Sequence, residues 1–115
     1  MKIIFKKISL HPVIGTYDWE RNVRQEVFIN LEIELYNESA VKTDDLNDTL
    51  DYEFLLKTLK ERIENKKFFL IERLAGEIWD ILSGDFQISG AVIEVQKPYA
   101  LNGCESVSIN YSANR

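Results

Sequence analysis

A single cysteine, Cys104, leaves the chain without any internal disulfide. Histidine is equally scarce: His11 is the only one. One cysteine and one histidine cannot furnish four Cys/His ligands to a zinc ion, and a lone imidazole gives little from which to assemble a Ser-His-Asp triad. No apolar run approaches the roughly 20 residues of a membrane-spanning helix. Lysines interrupt the opening MKIIFKKISL where a secretory leader would be continuous, so a cytoplasmic protein is expected. Positive charge is in deficit, with 14 Lys and Arg against 19 Asp and Glu and a net charge of −5. A general nucleic-acid binder needs the opposite balance. The five glycines are scattered and form no phosphate-cradling loop. No stretch has the spacing of a carboxylate metal site, and neither metal nor cofactor is expected.

What is present is ordinary for a globular protein: 45% hydrophobic and 29% charged residues. The 115 residues contain no linker, repeat or low-complexity segment, and 1–115 reads as one domain. At that length roughly two thirds of the unfolded surface can be buried.

Periodicity supplies the architecture. Residues 2–17 are rich in β-branched and aromatic residues but are interrupted at His11-Pro12, where a strand must kink or lie at an edge. Residues 26–36 alternate cleanly, with Val27, Ile29, Leu31, Ile33 and Leu35 on one face. TDDLNDTLDY (43–52) is rich in capping residues, and Asp51 or Thr49 suits the N-cap of a helix with Tyr52, Leu55, Leu56, Leu59 and Ile63 on its stripe. FFLIERLAGEIW (68–79) opens a second helix, with Ile71, Leu74, Ala75, Ile78 and Leu82 facing the core. After SGDFQ the period returns to two: Ala91, Ile93, Val95 and Lys97 share a face, and Val107, Ile109 and Tyr111 follow in a last strand. The order ββααββ predicts an α+β domain, a four-stranded, mostly antiparallel sheet with two helices on one face. Its open edges invite pairing with other subunits.

Four polar residues stand out. Glu72 lies on the flank of its helix stripe, in the first turn, where the amide ends favour a carboxylate; the simpler reading pairs it with a surface lysine. Lys97 is aimed by alternation at the apolar face, or else blunts a sheet edge. Tyr52 starts a helix, and Glu20 sits in the acidic-aromatic connection YDWER. Together they supply two carboxylates, an amine and a phenol, the inventory of a polar ligand site with acid–base capability. Cys104 is expected to fill space at a strand entrance.

Four segments in register, IGTYDWERNVRQEVFINLEIEL (14–35), TDDLNDTLDY (43–52), FFLIERLAGEI (68–78) and VQKPYAL (95–101), resemble dihydroneopterin aldolase, a family of the tunnelling-fold superfamily. The resemblance implies retro-aldol cleavage of dihydroneopterin to 6-hydroxymethyl-dihydropterin and glycolaldehyde, with side-chain epimerisation in some members, and neither a metal nor a lysine Schiff base. It implies that Glu72 anchors the pterin with the backbone of Ile71 beside it, and that Lys97 is the general acid/base assisted by Tyr52 and Glu20. It also implies a homo-oligomeric barrel, tetramer or octamer, with sites between subunits.

The chemistry agrees. A pterin presents a ring N–H and an exocyclic amine side by side, which a carboxylate matches with two parallel charge-assisted hydrogen bonds. The conjugated ring imine can accept the electrons of the broken bond. A lysine serves as base only when part of the population is neutral, which burial promotes and a nearby Glu20 opposes. Tyr99 departs from the family, in which a glycine or other small residue is common. Two competing readings remain, a dihydroneopterin-triphosphate epimerase using Arg21, Arg24 or Lys66 for the phosphates, and a non-catalytic pterin-binding oligomer.

Overall fold

Proline has no N–H to give a ladder, and Pro12 duly closes the first strand. The computed structural model describes residues 1–115. In it β1 (Lys2–Leu10) is followed by the two-residue β2 (Val13–Ile14), a 3-10 turn at Asp18–Asn22 and β3 (Val27–Leu35). A short helix, α1 (Ala40–Thr43), and a second 3-10 turn lead to α2 (Tyr52–Ile63). Asp51 is its N-cap, accepting from the Phe54 N–H at 3.1 Å. Then come β4 (Lys67–Phe68), α3 (Ile71–Asp85), the long β5 (Ile88–Leu101) and β6 (Cys104–Asn114). The long elements keep the expected order ββααββ. No helix is long and apolar enough to cross a membrane.

The four long strands form one antiparallel sheet in the order β1-β3-β5-β6. Register places Ile29 beside Val95 and Leu31 beside Ile93, so the buried rows of β3 and β5 merge into one apolar face. Leu55, Leu59 and Ile63 of α2 and Leu74, Ala75, Ile78, Ile81 and Leu82 of α3 close the core against it. Each such side chain contributes about 1.5–3 kcal/mol by leaving water. Tyr52 lies off the α2 stripe and is exposed, and Leu56 is only half-buried.

Three local features differ from the sequence reading. The second long helix begins at Ile71, not at Phe68, because Lys67–Phe68 is spent on a parallel bridge to Val13–Ile14. That bridge commits the Phe68 carbonyl to the Gly15 N–H at 3.1 Å and buries the Phe68 ring. The α1 turn of helix was not anticipated. Cys104 fills no space: it is exposed at the β5–β6 turn, its Sγ 3.0 Å from the Ser106 carbonyl.

Shape follows from strand length. Pairing of β5 with β3 stops at Gln96, while pairing with β6 continues to Leu101, so a two-stranded arm extends beyond the four-stranded region. The molecule measures 51 × 26 × 22 Å with a radius of gyration of 15.2 Å, against about 13 Å for a compact chain of similar length. Both sheet edges, β1 and β6, are unpaired.

One charged residue lies in the core-facing side of α3. Glu77 accepts from Lys66 and, at 2.9 Å, from Arg73. The Lys66 hydrogen bond, outweighing burial and aided by the charges of Lys66, Arg73 and Arg62, holds its carboxyl below the ordinary value of 4.5. A depressed folded-state value means that its stabilisation is complete above pH 4.5 and is lost as pH falls through the folded value. Glu77→Gln is expected to cost about 1 kcal/mol at neutral pH, the low end because Lys66 and Arg73 are solvent-screened. It should also flatten the acid limb, as denaturant titrations between neutral pH and about pH 3 would reveal.

Candidate active site

The connection after β2 is shaped by a glycine and a carboxylate that share one space. Gly15 adopts φ +134°, a region that side chains disfavour. A Cβ built there would lie 2.2 Å from the Glu20 carboxyl carbon. The absent side chain is what lets Glu20 fold back from its 3-10 turn onto the main chain.

Glu20 is 4% exposed, and each of its oxygens is bound. Oε1 accepts from the Tyr17 backbone N–H at 3.2 Å; Oε2 accepts from Gln25 at 3.0 Å and from the Lys97 ammonium at 2.6 Å. Gln25 in turn donates to the Ile14 carbonyl at 2.7 Å. Burial alone would raise the Glu20 carboxyl, but hydrogen bonds from Gln25, Lys97 and Tyr17, with the Lys97 charge, outweigh it and hold the group below 4.5.

Lys97 reaches this carboxylate from β5 on the face shared with Ile93 and Val95, its side chain 15% exposed. Pairing of β5 with β3 ends one residue before Lys97, but the ammonium turns inward onto Glu20 and is mostly buried, which counts against the edge-blunting reading.

The opposite wall is the start of α3. Leu70 is its N-cap and supplies no side-chain cap. Ile71 is half-buried, and Glu72 is exposed, not bordering the core as its helical position suggests. No cation pairs with Glu72, so the surface-lysine reading fails. Arg73 instead turns to Glu77 and Asp80.

Between these walls lies a cavity of about 310 Å³ that brings together Gly15, Glu20, Ile71, Glu72, Lys97 and Tyr99. Tyr17, Trp19 and Phe69 complete its rim and are exposed. A second cleft of about 360 Å³ beside Asp51 and Phe54 contains none of the four candidate side chains. Tyr52 lies outside both, 64% exposed at the start of α2.

Three contributors escaped the sequence reading. Gly15 gave no sign in the sequence of the close approach it permits, and Gln25 carried no signal beyond standing five residues after Glu20. Arg21, considered there as a phosphate ligand, is a brace. One guanidinium nitrogen donates to the Gly15 carbonyl at 2.7 Å and the Phe68 carbonyl at 2.6 Å, and its carbon lies 3.9 Å from the Phe69 ring centroid. It ties the Glu20 loop to the segment leading into α3.

Sheet order, helix placement and this cleft define the class: an α+β enzyme domain of the tunnelling-fold type, with its cavity where a central strand meets a helix N-terminus. The chain belongs to the dihydroneopterin aldolase family, whose model matches residues 3–112. It is 31% identical over 108 residues to dihydroneopterin aldolase of Haemophilus influenzae, covering 94% of this chain and 92% of that one. It is 33% identical over 113 residues to dihydroneopterin triphosphate 2'-epimerase of Escherichia coli, covering 98% and 94%. The crystal structure of Escherichia coli dihydroneopterin aldolase in complex with neopterin superposes with a TM-score of 0.93 at 28% identity, covering 99% of each chain.

Gly15→Ala tests the construction of the Glu20 wall. Backbone strain and collision with a pinned carboxylate are expected to cost roughly 1–3 kcal/mol. Denaturation midpoints would report the loss, and a crystal structure of the variant should show Glu20 displaced from Lys97.

Proposed function

We propose that this chain is a dihydroneopterin aldolase that cleaves dihydroneopterin to 6-hydroxymethyl-dihydropterin and glycolaldehyde, with side-chain epimerisation as a related outcome. The observation that carries this reading is the Glu20–Lys97 pair at 2.6 Å, set across a small cavity from the uncommitted carboxylate of Glu72. Glu72 receives the ring N–H and exocyclic amine of the pterin edge-on, and the backbone beside Ile71 completes the anchor. The substrate side chain then lies over Lys97.

In the reaction a side-chain hydroxyl loses a proton and the adjacent carbon–carbon bond breaks. Its electron pair passes into the conjugated ring imine, and the carbon left on the ring gains a proton. Lys97 is the acid/base that handles these protons. Glu20 holds its side chain at a fixed point on the cavity wall, within reach of the substrate tail. The pterin imine is its own electron sink, so the scheme routes no step through a metal or a lysine Schiff base.

Tyr52 acts from a neighbouring subunit. Within its own chain it stands outside the cavity, so a role in catalysis requires a second copy, consistent with the open sheet edges and the projecting arm. A tetrameric or octameric barrel with sites between protomers meets that need. A purely structural oligomer gives no reason to bury a lysine on a fully satisfied carboxylate.

The epimerase reading draws on similar identity to both kinds of relative. Against it, Arg21 is committed to two carbonyls and Lys66 to Glu77, leaving Arg24 alone of the three cations considered for phosphates. Incubation with dihydroneopterin and its triphosphate side by side, with glycolaldehyde assayed, separates the readings. Glycolaldehyde from the free substrate is expected, and its absence would sink the aldolase assignment. Lys97→Ala should retain pterin binding within roughly tenfold while losing most turnover, because the ammonium serves the transition state more than the ground state.

Subunit sharing has its own test. Tyr52→Ala and Lys97→Ala variants, each impaired alone, are expected to regain activity when unfolded together and reassembled. In such mixtures some sites combine an intact Tyr52 from one chain with an intact Lys97 from another. No recovery in verified mixed oligomers would place Tyr52 outside the reaction.

A further inference from the structure

We propose that Tyr99 is a specificity-determining residue, its ring standing at the cavity mouth beside Lys97 and selecting a side chain with free hydroxyls over one carrying phosphate. This rests on the aldolase reading above and extends it to the residue that meets the departing end of the substrate.

The backbone supplies the first observation. Pro98 lies opposite Ser106 and Leu101 opposite Cys104, so Tyr99 and Ala100 together face the single residue Glu105. One extra residue on one strand is a β-bulge, a device that re-aims a side chain. Tyr99 is the first bulge residue and has φ +55°, a conformation that glycine adopts freely and a tyrosine only under strain. Packing does not explain its presence: the residue is 84% exposed and belongs to no core, yet it lines the cavity. A bulky side chain held in a strained conformation at a cavity mouth points to function.

Placement and charge supply the second. Glu72 and Ile71 mark the heterocycle end of the cavity and Lys97 the bond-breaking end. Tyr99, two residues beyond Lys97, lines the same cavity, so on the aldolase reading a substrate tail passing Lys97 meets it next. The only cation lining this cavity is Lys97, already matched by Glu20. On this protomer's side, a phosphorylated tail would meet an aromatic wall and two carboxylates without an unmatched positive charge.

The test compares kcat/KM for free dihydroneopterin and for its triphosphate in wild type, Tyr99→Gly and Tyr99→Phe. Glycine relieves the strained φ, so Tyr99→Gly is expected to melt at or above the wild-type temperature, which separates selection from folding. The preference for the free substrate should fall roughly tenfold in Tyr99→Gly and stay within about twofold in Tyr99→Phe. An unchanged preference in Tyr99→Gly overturns the inference while leaving the aldolase reading standing. Loss of preference in Tyr99→Phe overturns the role of the ring as a wall. A wild-type protein that releases no glycolaldehyde overturns the underlying reading instead, and this role with it.

Discussion

The site depends on one requirement: the buried Glu20 carboxylate must have every oxygen satisfied. An ionised carboxylate taken from water costs several kcal/mol unless donors replace its hydration. Here the donors come from the Tyr17 main chain, from Gln25 and from Lys97. That single demand accounts for much of the local sequence. Gly15 must lack a side chain, Gln25 must bridge to the Ile14 carbonyl, and Lys97 must turn inward from β5. A buried ion pair of this kind is weak evidence for stability, since desolvation consumes most of its attraction. Its value lies in holding an ammonium at a fixed point on the cavity wall.

Arg21 makes that wall continuous with the other one. A single guanidinium nitrogen joins the Gly15 carbonyl to that of Phe68 while the group lies on the Phe69 ring. The parallel bridge between Val13–Ile14 and Lys67–Phe68 runs beside it. The Glu20–Lys97 ion pair and the start of α3 are therefore parts of one braced frame, and the distance from Lys97 to Glu72 is set by main-chain hydrogen bonds as well as by side-chain packing. Preorganisation of this sort lets charged groups act without reorganising during the reaction.

Much of this was legible in the chain itself. Strict alternation over 26–36 and 91–97 gave the faces of β3 and β5, and with them the inward aim of Lys97. Capping chemistry located Asp51 at the start of α2. The illegible parts are those where short range and long range disagree. A two-residue parallel bridge has no periodicity, so β2 and β4 left no pattern, and Phe68–Phe69 read as helix. The Gly15–Glu20 fit depends on a close approach that spacing does not encode. Arg21 looked like a free cation because its acceptors are carbonyls, which any residue carries. Helical parity placed Glu72 near the core boundary, but its side chain lies in the open while Leu74 and Ala75 next to it are buried. Tyr52 joined the list as the phenol at a helix start, and in the isolated protomer it stands apart from the residues it was grouped with.

The cavity is assembled from far-apart stretches of chain. Arg21 reaches a carbonyl 47 positions away, and Glu20 meets Lys97 across 77. Closures of that span lose loop entropy before any contact repays them. Local helices and the β5–β6 hairpin need no such closure and can precede it as the chain condenses. The cavity therefore exists only once distant parts of the chain have met, and a half-condensed polypeptide has no pocket to offer a ligand.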